Sequence, residues 1–81
     1  MDARELLSRL CQVIDAHDWD GLAPLLAEDF TCRYMHTGEA FDREGWIRLN
    51  AEYPGFERMV VEEIVGQDEH AAVRCRVTGR A

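Results

Sequence analysis

The chain has 81 residues with a hydrophobic fraction of 47%, a charged fraction of 31% and a formal net charge of −7. That is the make-up of one ordinary globular domain with a thin core. The acidic balance excludes a nucleic-acid binder, which needs clustered Lys and Arg on one face. The nine basic residues are all Arg and form no such face, a uniformity read as genome composition.

Asp2 followed by Glu5 is a variant of the capping box and predicts a helix start. Leu6, Leu7, Leu10, Cys11, Val13, Ile14 and His17 then recur at helical spacing, so the first helix is expected over about 3–16. Asp18 and Asp20 are N-cap candidates for a second helix carrying Leu22, Leu25 and Leu26, with Pro24 near its first turn. From Phe30 the period changes to two. Phe30, Cys32, Tyr34 and His36 share one face of a strand, and Thr31, Arg33, Met35 and Thr37 the other. Gly38 predicts a turn and Glu39–Phe41 a short return strand. Asp42 can cap a third helix with Trp46, Ile47, Leu49, Asn50 and Tyr53 on one side, ended by Pro54-Gly55. The run 57–65 and the run 70–78, joined by the polar turn Gly66–Glu69, predict an antiparallel hairpin. Two β runs with no helix between them point to an α+β fold rather than a parallel sheet. The predicted core is Leu6, Leu10, Ile14, Leu22, Leu26, Phe30 and Leu49.

The stretch from Val13 to Phe30 is the most distinctive part. It reads as a helix end, an Asp18-Trp19-Asp20-Gly21 step, a short apolar helix and an acidic step into a strand. In that order the chain resembles the nuclear-transport-factor-2-like superfamily, which includes ketosteroid isomerases and SnoaL-like cyclases. The resemblance covers residues 1–81 as a single domain. It implies a cone-like curved antiparallel sheet with three helices packed on its concave face. It also implies two further long strands after the last hairpin, so the domain reads as C-terminally short, with an open edge that invites pairing.

In ketosteroid isomerases a first-strand Asp is the base, and a first-helix Tyr and a later protonated Asp hold the enolate oxygen. Aligned through the Asp18-to-Gly21 step, the tyrosine position holds Leu10 and the base position holds Tyr34. The later acid would fall beyond Ala81. The resemblance therefore implies that this isomerisation is absent.

Tyr34 and His36 are the catalytic candidates, because an imidazole beside a phenol can do acid–base work near pH 7. The commoner roles are a wall residue for Tyr34 and a solvent-exposed strand end for His36. The ligand pocket is expected to be lined by Leu10, Ile14, Cys32, Tyr34, Trp46, Asn50, Val73 and Cys75. His17 beside Asp18 and Asp20 fits helix capping better than metal binding, and the three histidines are too scattered for a metal triad. Arg74 and Arg76 are placed to pair with Glu62 or Glu63 across the hairpin.

No cofactor and no metal are expected. Cys11, Cys32 and Cys75 form no Cys-x-x-Cys pair and sit among apolar neighbours, which suggests a reducing compartment and a cytoplasmic location. No signal peptide and no bilayer-spanning run is read. The functional expectation is a domain that binds a small apolar molecule, open between a plain binder and an isomerase- or cyclase-like enzyme. The alternative is a non-catalytic dimerisation or protein-interaction module. A homodimer is expected in either case.

Overall fold

Asp2 starts the first helix as expected. In the computed structural model, which describes residues 2–80, its carboxylate accepts the Glu5 amide at 2.8 Å. Helix α1 runs Ala3–Asp15. It stops by turning left-handed at His17, with φ of 58°. The Asp18 amide donates to the Val13 carbonyl and the His17 amide to the Ile14 carbonyl. These two bonds are those of a Schellman motif, which satisfies the orphan carbonyls of a helix end. Glycine is the usual residue there. Here His17 is held from outside: its Nε2 donates to the Glu57 carbonyl at 2.8 Å, and its ring stacks on Phe56 at 4.8 Å.

The expected second helix is instead two short 3₁₀ turns, Trp19–Gly21 and Ala23–Leu25. Its bonds are all of the three-residue kind: Gly21 to Asp18, Leu22 to Trp19, Leu25 to Leu22 and Leu26 to Ala23. Pro24 explains this, because it lacks the N–H that an α-helix would send back to Asp20 and it restrains Ala23. Asp18 still caps the segment through the Gly21 amide.

The predicted strand from Phe30 to Thr37 is only β1, Thr31–Arg33. The Thr37 and Gly38 amides both fold back on the Tyr34 carbonyl, and Gly38 has φ of 77°. The alternation of side chains through Thr37 thus ends in a turn, and Met35 is 86% exposed. The return strand β2 is Ala40–Asp42, antiparallel to β1, with Cys32 opposite Phe41. Asp42 caps α2, Arg43–Ala51, by accepting the Gly45 amide at 2.8 Å.

The hairpin of β3, Phe56–Gln67, and β4, His70–Gly79, closes through the two residues Asp68 and Glu69. Glu62 is an extra residue: Val61 faces Cys75, but Glu63 faces Arg74 and Ile64 faces Val73. This bulge keeps Met59, Val61 and Ile64 on one face, with Val73, Cys75 and Val77. On that face Ala71, Val73 and Cys75 are half-buried, whereas Ala72, Arg74 and Arg76 are exposed. The expected cross-strand pairs form, Arg76 to Glu62 at 2.8 Å and Arg74 to Glu63 at 3.8 Å.

The fold is α+β with antiparallel sheets. Among the described residues there are two two-stranded sheets, β1–β2 and β3–β4. Helix α1 packs on the second hairpin and α2 on the first. Gly66 permits a close approach, since a Cβ there would lie 2.7 Å from the Arg4 Cβ. The core is Ile14, Leu22 and Leu26, with Leu10, Val13, Trp19, Phe30 and Trp46 packed against it. Leu49 is only half-buried, and Leu6, predicted as core, is 38% exposed. Cys11, at 4% exposure, is buried beside them. No helix is long and apolar enough to cross a membrane among the described residues.

Candidate functional site

Tyr34 is where the short strand, its turn and α2 meet. It leaves β1 at the last laddered step, where its amide donates to the Glu39 carbonyl at 2.9 Å. Its ring meets Phe41 edge-on, with centroids 5.6 Å apart at 65°. Burial pushes the Tyr34 phenol above its ordinary value, and the Trp46 side chain beside it acts in the opposite direction. The phenol is therefore protonated at neutral pH and can donate a hydrogen bond.

Two chambers share Tyr34, Leu49 and Tyr53. The inner one, about 140 Å³, adds Asn50, Phe56, Met59 and Val77 to these walls. It is mainly apolar, with Asn50 as its polar side chain besides the two phenols. The Asn50 amide nitrogen donates to the Trp46 carbonyl at 2.8 Å, which fixes the side chain against α2. The outer chamber, about 370 Å³, adds His36, Thr37, Glu39 and Phe41. It is the more polar of the two, with His36, Thr37 and Glu39 on its walls.

The eight expected pocket residues do not line one space. Tyr34 and Asn50 do meet in the inner chamber, and Tyr34 and His36 in the outer one. Leu10 instead lines a separate open groove of about 330 Å³ with Leu6, Leu7, Leu25 and Phe30. Ile14 is 3% exposed and belongs to the core. Trp46 packs on Phe30 with centroids 5.3 Å apart. Cys32, Val73 and Cys75 are half-buried on the faces of their strands, and burial pushes the Cys32 thiol up.

Sequence reasoning missed Leu49, Phe56, Met59 and Val77 as pocket walls. Met59 faces Val77 in the hairpin register, and the apolar stripe of β4 already ran through Val77. What the sequence does not display is the bulge at Glu62, without which the two halves of β3 cannot both be assigned a face.

A fixed strut holds this hairpin against α1. Asp15 receives two bonds from Arg58, at 2.7 and 3.0 Å, and the Met59 amide at 2.8 Å. The Arg58 guanidinium, then the Met59 N–H, holds the Asp15 carboxyl down at about 2, from an ordinary 3.8.

The family model for the SnoaL-like domain matches residues 7–81. The chain belongs to that family, and with it to the nuclear-transport-factor-2-like superfamily. It is also similar to the crystal structure of a ketosteroid isomerase-like protein from Kribbella flavida, with a TM-score of 0.89 and 29% identity. That match covers 95% of this chain and 58% of the other, so the chain spans somewhat over half the length of its structural relative. A search of curated proteins finds no match.

Proposed function

We propose that this chain forms the helix-and-hairpin wall of a conical pocket that binds a small, mainly apolar molecule. The observation that carries the reading is the pair of adjoining chambers that share Tyr34, Leu49 and Tyr53 as walls. In this reading the curved sheet is concave toward α2, and the apolar body of the ligand rests on Phe56, Met59 and Val77. Tyr34 donates to a carbonyl oxygen of the ligand. A hydrogen bond to a carbonyl polarises it and would assist proton removal beside it. Isomerase- or cyclase-like chemistry would also need a base, and the candidates beside Tyr34 in the outer chamber are His36 and Glu39. The family assignment supports small-molecule binding, and the relative's name supplies the carbonyl as the first group to try.

The test is an NMR titration with 2-decalone, a neutral fused-ring ketone. The amides of Phe56, Met59 and Val77 should shift, and Leu49→Trp, which fills the inner chamber, should abolish the shifts. Y34F should weaken binding about tenfold or less, the worth of one hydrogen bond of about 0.5–1.5 kcal/mol. Shifts confined to the groove of Leu6, Leu7 and Phe30, indifferent to L49W, would overturn the assignment. With Leu10 and Tyr34 at the isomerase tyrosine and aspartate positions, a β,γ-unsaturated ketosteroid should not be conjugated. Appearance of enone absorbance that is lost in H36A would show otherwise.

A dimerisation module is the second reading, and one observation favours it. Val60 and Val65 are 47% and 57% exposed on the outer face of the hairpin. In this reading a second copy of the chain covers them.

A further inference from the structure

The outer chamber has a composition that a carbonyl-binding pocket does not require. Three aromatic side chains, Tyr34, Phe41 and Tyr53, border it together with one carboxylate, Glu39, and with His36, Thr37 and Leu49. Tyr34 and Phe41 form a fixed corner through their edge-on contact at 5.6 Å. Tyr53 is 61% exposed, so its ring is a wall open to an incoming group rather than a packed core residue. The Glu39 and Tyr34 side chains line the same chamber. Among the described residues Glu39 makes no ion pair, although five of the nine arginines do. Its backbone is fixed independently, through the Thr37 hydroxyl and the Tyr34 amide. Among the described residues no Arg borders the chamber.

Aromatic faces carry negative charge in their π-clouds and attract ammonium groups within about 6 Å of the ring centre. A carboxylate at the rim adds Coulomb attraction. The molecule's net charge of −7 adds a long-range field of the same sign. A carboxylate ligand would meet repulsion from both.

We infer that the outer chamber binds an organic ammonium group, a methylated or primary amine, against Tyr34, Phe41 and Tyr53 with Glu39 as its counter-charge. An amine whose remainder is apolar would extend that remainder past Leu49 toward Phe56 and Met59. The inference rests on the outer chamber alone and stands whether or not the inner one takes a ketone.

Choline is a suitable probe, because 3,3-dimethylbutan-1-ol has the same shape without the charge and 3,3-dimethylbutanoate reverses it. An NMR titration should move the amides of Thr37, Glu39 and Tyr53 with choline. The neutral isostere should bind about tenfold more weakly, the order expected from one cation–π contact plus a partly exposed charge pair. The carboxylate should not bind. E39Q and, separately, Y53L should each weaken choline binding. Both side chains are exposed, so neither change threatens the fold. Equal binding of choline and its neutral isostere would overturn the inference. So would retention of full choline affinity in E39Q, or choline shifts located elsewhere. Loss of 2-decalone binding alone would count against the inner-chamber reading and not against this one.

Discussion

Asp15 shows how one side chain can couple two elements. It is the last residue of α1, and its carboxylate takes three hydrogen bonds from the start of β3. Its pKa is lowered from 3.8 to about 2, chiefly by the Arg58 hydrogen bond. The unfolded chain has no such partner, so below its ordinary pKa the unfolded state binds a proton that the folded state resists. The strut therefore contributes stability that is complete above pH 5 or so and is lost as the pH falls from about 4 to about 2. The denaturant midpoint of the wild type minus that of D15N should be positive and flat from pH 7 to pH 5. It should shrink toward pH 2. A difference that persists unchanged at pH 2 would place the strut's effect somewhere other than its charge. The same residue marks a limit of sequence reading. Asp15 and Arg58 are 43 positions apart, and nothing in either neighbourhood marks them as partners. The caps at Asp2, Asp18 and Asp42 were legible because their partners lie three residues away.

Elements were legible in proportion to how local their causes are. Helix α1 and the hairpin follow from hydrophobic period, and both lie within a few residues of the expected bounds. The second helix failed on Pro24 and the long first strand on the turn at Gly38, where a local breaker outweighed an apolar pattern. The hairpin turn has a sharper test. Asp68 sits at φ of 55° in a two-residue loop between Gln67 and His70. Asp tolerates the left-handed region because its short side chain can bond its own backbone, whereas a β-branched residue does not. D68V should therefore cost about 1–2 kcal/mol. That is a large part of the roughly 4–12 kcal/mol expected for a domain of this size. D68G should cost much less. Thermal midpoints of the two variants decide this, and equal midpoints would mean that the turn is not held in the left-handed form. The chambers around Tyr34 were only partly legible for a related reason. Tyr34, His36 and Asn50 stand out by chemistry, but Phe56, Met59 and Val77 become walls only once the register of β3 on β4 is known.

At the scale of the whole molecule, charge and exposed apolar surface pull in opposite directions. Two copies at −7 each repel, yet the outer face of the hairpin is locally balanced. Glu62 pairs with Arg76 and Glu63 with Arg74, so the valines beside them sit on a patch of no net charge. A second copy laid on that face would cover Val60 and Val65 without opposing like charges, and the repulsion would come only from the rest of the surface. Apolar burial is worth about 25 cal/mol per Å², and exposed ion pairs only about 0–1 kcal/mol each. The valines should therefore dominate any association. Screening fixes the sign of the salt effect: the Debye length is about 20–30 Å near 0.01–0.02 M salt and about 10 Å at 0.1 M. A dimer opposed by long-range repulsion and held by apolar contact should tighten as salt is raised through that range. Sedimentation equilibrium at tens of micromolar should give a mass approaching twice 9.3 kDa. The double variant V60E/V65E should return the monomer with its circular dichroism intact. A wild type that stays monomeric and folded in 0.2 M salt would remove the dimerisation reading. A dimer that weakens with salt would mean that ion pairs across the contact, not the valines, hold it.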